Sequence, residues 1–195
     1  MGRPPLAAAL ALALAGPGLL AAGCGNQRTP APRIPPAAAP VGKRTVRLGS
    51  EGVGFQRPAN WSFSLGAAPQ VATIGSGRAV VVLWRYPRAE PLPDDAASLD
   101  RARLALIAAA KARDRSLRVI SSRTVTVGGA KGVELVADER LRSHPREVRS
   151  THLYAHGAEL VVDAYAPPSE FPRVDRTVFR PLLRSLRVVP PGTTP

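Results

Sequence analysis

Four runs of strand-forming sequence follow one another in the second half of the chain, and their spacing constrains the fold more than any other feature. They comprise residues 117–127, 132–136, 148–155 and 159–166. Gly128-Gly129 separates the first two runs and His156-Gly157 separates the last two, and both pairs are typical of tight hairpin turns. Because strands joined by short turns pair side by side, the spacing predicts a four-stranded antiparallel meander.

Three further strands are predicted before the meander. Thr45–Leu48 and Ser62–Leu65 alternate apolar and polar residues, which is typical of half-buried strands. Ala79–Tyr86 is the most apolar stretch after the N-terminal region, so we expect a central strand covered on both faces, with Trp84 in the core. The preceding Gly75-Ser76-Gly77 indicates a hairpin tip.

Helical periodicity appears in two places. The first helix is predicted to begin at Asp95 or Ser98, because apolar and long side chains then recur at helical spacing on one face, at Leu99, Arg103, Leu106 and Ala110. Ser169 is the predicted N-cap of the second helix. Its apolar stripe comprises Phe171, Val174, Val178, Leu182 and Leu186.

The order of these elements is strands, helix, four strands, helix, which is typical of an α+β layer fold. We predict an antiparallel β-sheet of about six or seven strands with two main helices packed on it, occupying residues 45–189. Arg187–Val189 is expected to add a last edge strand, and residues 190–195 a disordered tail.

The N-terminal region resembles the signal of a secreted lipoprotein. Arg3 precedes the uncharged segment Leu6–Leu20, and the small residues Ala22 and Gly23 come directly before Cys24, the only cysteine. This lipobox predicts a signal peptide at residues 1–23, cleavage after Gly23 and acylation of Cys24 by a diacylglycerol and fatty acids such as palmitate. The alternative is an ordinary secretory signal with an incidental cysteine.

Residues 24–44 are expected to form a tether, because their prolines remove backbone donors and few large apolar residues are present. Together with the lipobox, the tether predicts a domain held on the extracytoplasmic face of a bacterial cell membrane. A lone cysteine cannot form an internal disulfide, so packing alone has to stabilise the domain.

The chain carries 27 lysines and arginines against 14 aspartates and glutamates, which gives a net charge of +13. An exported basic protein meets anionic lipids and wall polymers, whereas nucleic acid is not an expected partner outside the cell. The candidate polyanion-binding residues cluster around one loop and are Arg140, Arg142, Arg146 and Arg149. The alternative is a solvated edge whose charges prevent strand-to-strand aggregation, or a compositional bias of a GC-rich genome.

No residue set in the sequence forms a persuasive active or metal site. His152 and His156 are about 13 Å apart if both lie on a strand, too far to share an ion, and His144 lies in a loop. No G-x-S-x-G nucleophile elbow is present. We therefore expect no catalytic residues, no metal and no cofactor.

Polar residues recur on one face of the predicted last hairpin. Asp163 and Tyr165 share a face of one strand, and Tyr154 lies on the neighbouring strand. Such residues line a pocket in some proteins, but a sheet with one face in water has the same pattern. We expect the water-facing arrangement here.

Three short motifs resemble the PsbP/Mog1/DcrB-like fold, which includes actinobacterial lipoproteins of the LpqN kind. They are Phe55-x-x-Pro58-x-x-Trp61, Val125-x-Val127-Gly128-Gly129 leading into Gly132, and Leu183-x-Ser185-Leu186. The resemblance covers about Val46 to Val189 and implies an α-β-α sandwich. It also implies a small non-enzymatic module that binds or assists protein partners, often at an envelope, and it transfers no catalytic residues.

The first functional hypothesis is therefore a lipid-anchored, extracytoplasmic accessory module that assists an envelope protein or binds an anionic wall polymer. A second is a carrier of a lipid or small apolar ligand in a cavity between sheet and helices. A third is an envelope hydrolase, which requires a pocket that joins a nucleophile to one of the three histidines.

Overall fold

The computed structural model describes residues 33–141 and 144–195, which form ten strands and two main helices. The strands before the first helix are β1 (Arg44–Leu48), β2 (Val53–Arg57), β3 (Ser62–Leu65), β4 (Gln70–Ser76) and β5 (Ala79–Pro87). After α1 (Ala96–Arg113) come β6 (Arg118–Val127), β7 (Ala130–Leu141), β8 (His144–Ala155) and β9 (Ala158–Ala166). The chain continues through the second helix, α2, to β10 (Arg187–Val188). Helix α2 consists of Phe171–Val174, a π-helical turn at Asp175–Phe179 and Arg180–Ser185.

The strands form two antiparallel sheets. The larger has seven strands in the order β3-β4-β5-β9-β8-β7-β6, and the smaller has three in the order β1-β2-β10. The predicted meander is confirmed, since β6 to β9 are consecutive neighbours in the large sheet. The predicted last strand, β10, pairs with β2 rather than with the large sheet. No helix in the described part of the chain is long and apolar enough to span a membrane.

The two helices cover opposite faces of the large sheet. Arg149 of β8 bonds to Asp175 of α2, whereas its neighbour Val148 packs with Ala110 of α1. Since successive residues of a strand point to opposite faces, the layers run α1, sheet, α2. The larger core lies on the α2 side and the smaller on the α1 side. The α+β class and the α-β-α sandwich are therefore confirmed.

Helix α1 begins where the sequence predicts. The Asp95 side chain accepts the Ser98 backbone N–H at 2.6 Å, and the Ser98 hydroxyl lies 3.2 Å from the Asp95 N–H, which completes a capping box. Helix α2 begins at Phe171, with Glu170 as its N-cap residue instead of the predicted Ser169. The Glu170 side chain makes no capping bond and instead accepts the Ala37 backbone N–H at 2.8 Å.

The expectation for β5 is only half correct. Ala79, Val81 and Leu83 are buried on one face, but Val80 and Trp84 on the other face are only half-buried. The strand that separates β5 from the sheet edge, β4, has no counterpart in the sequence analysis. The tryptophan in the core is Trp61, which is 2% exposed.

The end of the predicted tether lies against the domain. In addition to the bond from Ala37 to Glu170, the backbone carbonyl of Ala38 accepts the Trp61 indole N–H at 3.2 Å. The Val41 backbone N–H donates to the Asn60 side chain. We call residues 37–42 the strap. These bonds join it to a part of the chain that the sequence analysis separates from it, so the folded unit begins earlier than residue 45.

Residues at the other end of the chain are also bonded. The Gly192 backbone N–H donates to the Gly49 carbonyl at 2.7 Å, and Val189 donates to Gly52 at 2.9 Å. The expected disordered tail at 190–195 therefore lies beside the short 3-10 turn at Gly49–Glu51.

Candidate functional site

A cavity of about 420 Å³ lies between α1, the proline-rich loop that precedes it, and strands β8 and β9. We call it the α1 pocket. Its walls are mainly apolar and include Leu92, Pro93, Ala105 and Leu106. Arg88, His152, Tyr154 and Glu159 supply its polar groups. The volume is within the range of small-molecule sites, about 300–1,000 Å³.

The pocket contradicts the expectation that this face of the last hairpin meets water. Helix α1 covers the face that carries Tyr154 and Tyr165, and both tyrosines are only partly exposed. Burial raises the pKa of Tyr154 to about 12, and it also raises the pKa of Tyr165. Both hydroxyls therefore keep their protons near neutral pH. The sequence pattern could not distinguish the two arrangements, because it does not reveal where α1 docks.

A hydrogen-bonded network forms the polar floor of the pocket. His152 Nδ1 lies 2.6 Å from Glu159 Oε1, and His152 Nε2 lies 3.1 Å from the Ser150 hydroxyl. Ser150 also donates to Asp163 Oδ1 at 2.5 Å, and Arg88 forms an ion pair with Glu159. Burial by itself raises the pKa of Glu159, but the bonds from His152 and Arg88 outweigh it and leave that pKa below its usual value.

The contacts that link Ser150, His152 and Glu159 resemble those of a Ser-His-acid triad, but Ser150 also bonds to a second carboxylate, that of Asp163. A serine hydroxyl has one proton, and Ser150 gives it to Asp163. That proton is therefore not directed at His152 Nε2, as it is in a serine that a histidine activates as a nucleophile.

The surroundings of Ser150 also differ from those of a nucleophile. Ser150 is 8% exposed and is not part of the pocket lining. Ser150 is paired with Leu135 of β7 on one side and Asp163 of β9 on the other, so its strand is interior to the sheet. Because an interior strand donates its backbone N–H groups to the strands on either side, no backbone N–H group of β8 beside Ser150 is free to stabilise an oxyanion. Ser150 therefore lies outside the cavity lining and has no unpaired backbone N–H groups beside it on its own strand.

This network is not among the features predicted from the sequence, although the signal for it is present there. Ser150 and His152 lie two apart on one strand, and a hairpin centred on His156-Gly157 places Asp163 opposite Ser150 and Glu159 opposite Tyr154. If the strand pairing is continued residue by residue from the predicted turn, these side chains fall on one face of the sheet. Of the other histidines, His144 and His156 are exposed, and neither lines the α1 pocket.

A second site lies on the α2 side of the sheet, beside strand β6. It is a cleft of about 550 Å³ to which Arg123, Arg149, Arg180 and Arg184 contribute, and we call it the arginine cleft. Arg149 forms its floor, where it bonds Asp175 Oδ1 through Nε at 2.7 Å and Glu134 Oε1 through Nη1 at 2.7 Å. Burial alone lowers the pKa of Arg149, but the bonds to Asp175 and Glu134 raise it above its ordinary value.

This arrangement corrects the predicted polyanion patch. Arg149 is 4% exposed and bonded to two carboxylates, so it is not a surface residue. The reason is the alternation of β8, which turns Arg149 toward α2. Arg140 is exposed, Arg146 is half-buried and donates to the Arg78 carbonyl at 3.1 Å, and Arg142 lies outside the described residues. Gly23 and Cys24 lie outside them as well.

No protein-family model matches the sequence, and no curated protein matches it. Solved structures do match its fold. PsbP (CyanoP) from Synechocystis sp. PCC 6803 superposes with a TM-score of 0.57 at 10% identity, over 74% of this chain and 92% of that one. The chain has the PsbP/Mog1/DcrB-like fold. The resemblance that the three motifs indicate is thereby confirmed at the level of the fold.

Two other proteins with the PsbP/Mog1/DcrB-like fold extend the comparison. LpqN of Mycobacterium tuberculosis, described as involved in cell envelope biogenesis, has a TM-score of 0.51 at 14% identity, over 76% of this chain and 92% of that one. The Ran-binding protein Mog1p of Saccharomyces cerevisiae has a TM-score of 0.51 at 9% identity, over 77% of this chain and 97% of that one. At such identities the likeness extends to the fold alone.

Proposed function

We propose that this protein is a non-catalytic binding module, anchored by lipid on Cys24 to the extracytoplasmic face of a bacterial membrane, which assists an envelope protein or binds a wall component. The observation that carries the proposal is the closed network under the α1 pocket. Each polar group of the network has a partner, and the serine is withdrawn from the cavity. Such a site is suited to binding without turnover.

Two further points support the accessory role. Mog1p is a Ran-binding protein and LpqN is involved in cell envelope biogenesis, so proteins with this fold include a protein binder and a protein of envelope biogenesis. The lipobox at Leu20–Cys24 accounts for the position at the membrane. The exposed Arg140, together with Arg142 and Arg146, remains our candidate contact for an anionic wall polymer.

The first test is Cys24→Ala in the full-length chain. We expect the wild type to partition into the detergent phase and to crosslink in intact cells to a discrete envelope partner. Cys24→Ala is expected either to be recovered in the aqueous phase without that crosslink, because no acyl chains hold the domain near its partner, or to stay uncleaved at the higher mass of the signal-bearing chain. A variant that is cleaved, partitions and crosslinks like the wild type would contradict the anchor.

A carrier of an amphiphilic small molecule is the second candidate function, and the α1 pocket favours it. Apolar walls beside Arg88, Glu159 and Tyr154 suit a ligand with an apolar body and a polar end. Such a ligand should appear as an added mass when the protein is examined by native mass spectrometry.

Two matched variants on α1 test the carrier hypothesis. Ala105 lines the pocket, whereas Ala108 is exposed on the same helix and does not. We expect Ala105→Phe to abolish the added mass, because its ring fills the cavity, and Ala108→Phe to retain it. Added mass in both variants would place the ligand elsewhere, and a wild type without added mass would count against the carrier.

A further inference from the structure

Strand β6 ends the large sheet, and part of its outer edge is unprotected. The opposite edge strand, β3, has only four residues, whereas β6 has ten. Sheet edges are commonly protected by shortness, by bulges, by proline or by charge. A register shift between Val119 and Ser121 interrupts the first part of β6, but pairing with β7 is regular from Ser122 to Val127.

The regular part of β6 is well suited to pairing with another strand. Residues 122–127 are rich in threonine and valine, which favour strands, and contain no proline. Arg123 is their only charged residue, and its guanidinium bonds to Glu134 at 2.9 Å. Alternate backbone N–H and C=O groups of an edge strand point outward. Within 33–141 and 144–195, no loop backbone or side chain bonds to those groups of residues 122–127.

Two clefts of opposite charge meet at this edge. Thr124, Val125 and Thr126 belong to the arginine cleft on the α2 side, and they also line a second cleft of about 550 Å³ on the α1 side. Asp94, Asp95 and Asp100 contribute to that second cleft, with Lys131 as the one cation among its lining residues in the described part of the chain. Arg103 beside it forms an ion pair with Asp100 at 2.6 Å, so the cleft keeps an excess of negative charge. We call it the acidic cleft.

We propose that the edge of β6 at Ser122–Val127 binds an extended segment of a partner protein by strand addition, and that the segment alternates acidic and basic side chains. A strand added to β6 lies about 4.8 Å away and points successive side chains to opposite faces. The side chains on one face of the added strand therefore extend past Arg180 and Arg184, and those on the other face extend past Asp94 and Asp100. Acidic residues suit the first face and basic residues suit the second.

A second copy of this chain fits the edge less well. Two β6 edges paired antiparallel about a two-fold axis keep the same face of each sheet on the same side. The arginine cleft of one copy would then adjoin the arginine cleft of the other, and like charges would face each other. The proposal goes beyond the proposed function, because strand addition depends on neither the lipid anchor nor the α1 pocket.

The test measures the binding of fluorescein-labelled peptides of about ten residues to the purified full-length chain by anisotropy. One peptide alternates glutamate and lysine, and a second has the same composition in two blocks. We expect the alternating peptide to bind at least about tenfold more tightly, because only it matches both clefts. Methylation of its alternate backbone nitrogens on one edge should abolish binding, because those N–H groups supply the ladder.

Two protein variants give the matched control. Arg184 is exposed and lines the arginine cleft, whereas Arg176 is exposed on the same helix and does not. We expect Arg184→Glu to weaken binding about tenfold and Arg176→Glu to leave it unchanged. Saturating peptide should also slow amide hydrogen exchange within Ser122–Val127 by at least about tenfold.

Three results would overturn the proposal. Equal binding of the alternating and block peptides would indicate charge attraction without strand addition. Unchanged exchange in β6 would place the peptide elsewhere. A concentration-dependent dimer that Arg184→Glu strengthens, measured by analytical ultracentrifugation, would assign the edge to a second copy of this chain.

Discussion

Replacement of Arg149 by methionine is expected to lower the free energy of unfolding by about 3 kcal/mol. Arg149 is buried between Glu134 and Asp175, whose side chains are 7% and 6% exposed. Removing the guanidinium leaves two carboxylates in a poorly hydrated site. Glu134 still pairs with the exposed Arg123, and Asp175 still pairs with the exposed Arg180. The loss of unfolding free energy is therefore expected at the lower end of the range of about 3–5 kcal/mol for broken buried ion pairs.

Urea unfolding followed by circular dichroism measures this effect, and Arg180→Met is the matched control. The Arg180 side chain is 58% exposed, so loss of its bond to Asp175 should cost less than about 1 kcal/mol. A double variant, Arg149→Met with Asp175→Asn, should cost less than the sum of the two single changes, because the second removes a charge that the first leaves unpaired. Equal losses for Arg149→Met and Arg180→Met would contradict the role of the buried cluster.

Replacement of Trp61 by alanine is expected to cost about 3–5 kcal/mol. The indole is almost fully buried in the larger core, and its N–H donates to the Ala38 carbonyl in the strap. The change therefore leaves a cavity and removes a bond that holds the strap. Limited proteolysis should show faster cleavage within residues 37–42 of this variant.

Trp84→Ala is the control for the same unfolding measurement. Trp84 is half-buried on the α1 side of β5, so we expect a loss of about 1–2 kcal/mol. If Trp84→Ala is as destabilising as Trp61→Ala, the half-buried position described for Trp84 is wrong.

The order and type of most elements could be predicted because they depend on local sequence. Gly128 has a positive φ of 60°, which a glycine adopts without strain, and it lies at the turn that the Gly128-Gly129 pair predicts. Asp95 caps α1 because a carboxylate at that position accepts a free backbone N–H, whatever the rest of the chain does. The period of two in the meander likewise defines strands without any knowledge of their partners.

The candidate sites could not be predicted to the same extent, because they depend on contacts between distant residues. The sequence predicts one charged surface from four arginines near one loop. Strand alternation instead points Arg149 into the core, where it bonds to Asp175, 26 residues away in the chain. His152 looks unpaired in the sequence because its acid, Glu159, lies across a hairpin. The strap is separated from its partner Glu170 by 133 residues, so no local pattern can reveal it.

The sequence by itself determined the α+β order of elements, because that order rests on residues that are neighbours in the chain. Only the tertiary structure decided which charges are buried, where α1 encloses a pocket, and which clefts flank β6. The physical reason is that burial and charge pairing depend on which strand faces the two helices cover, and neighbouring residues in the chain do not determine that.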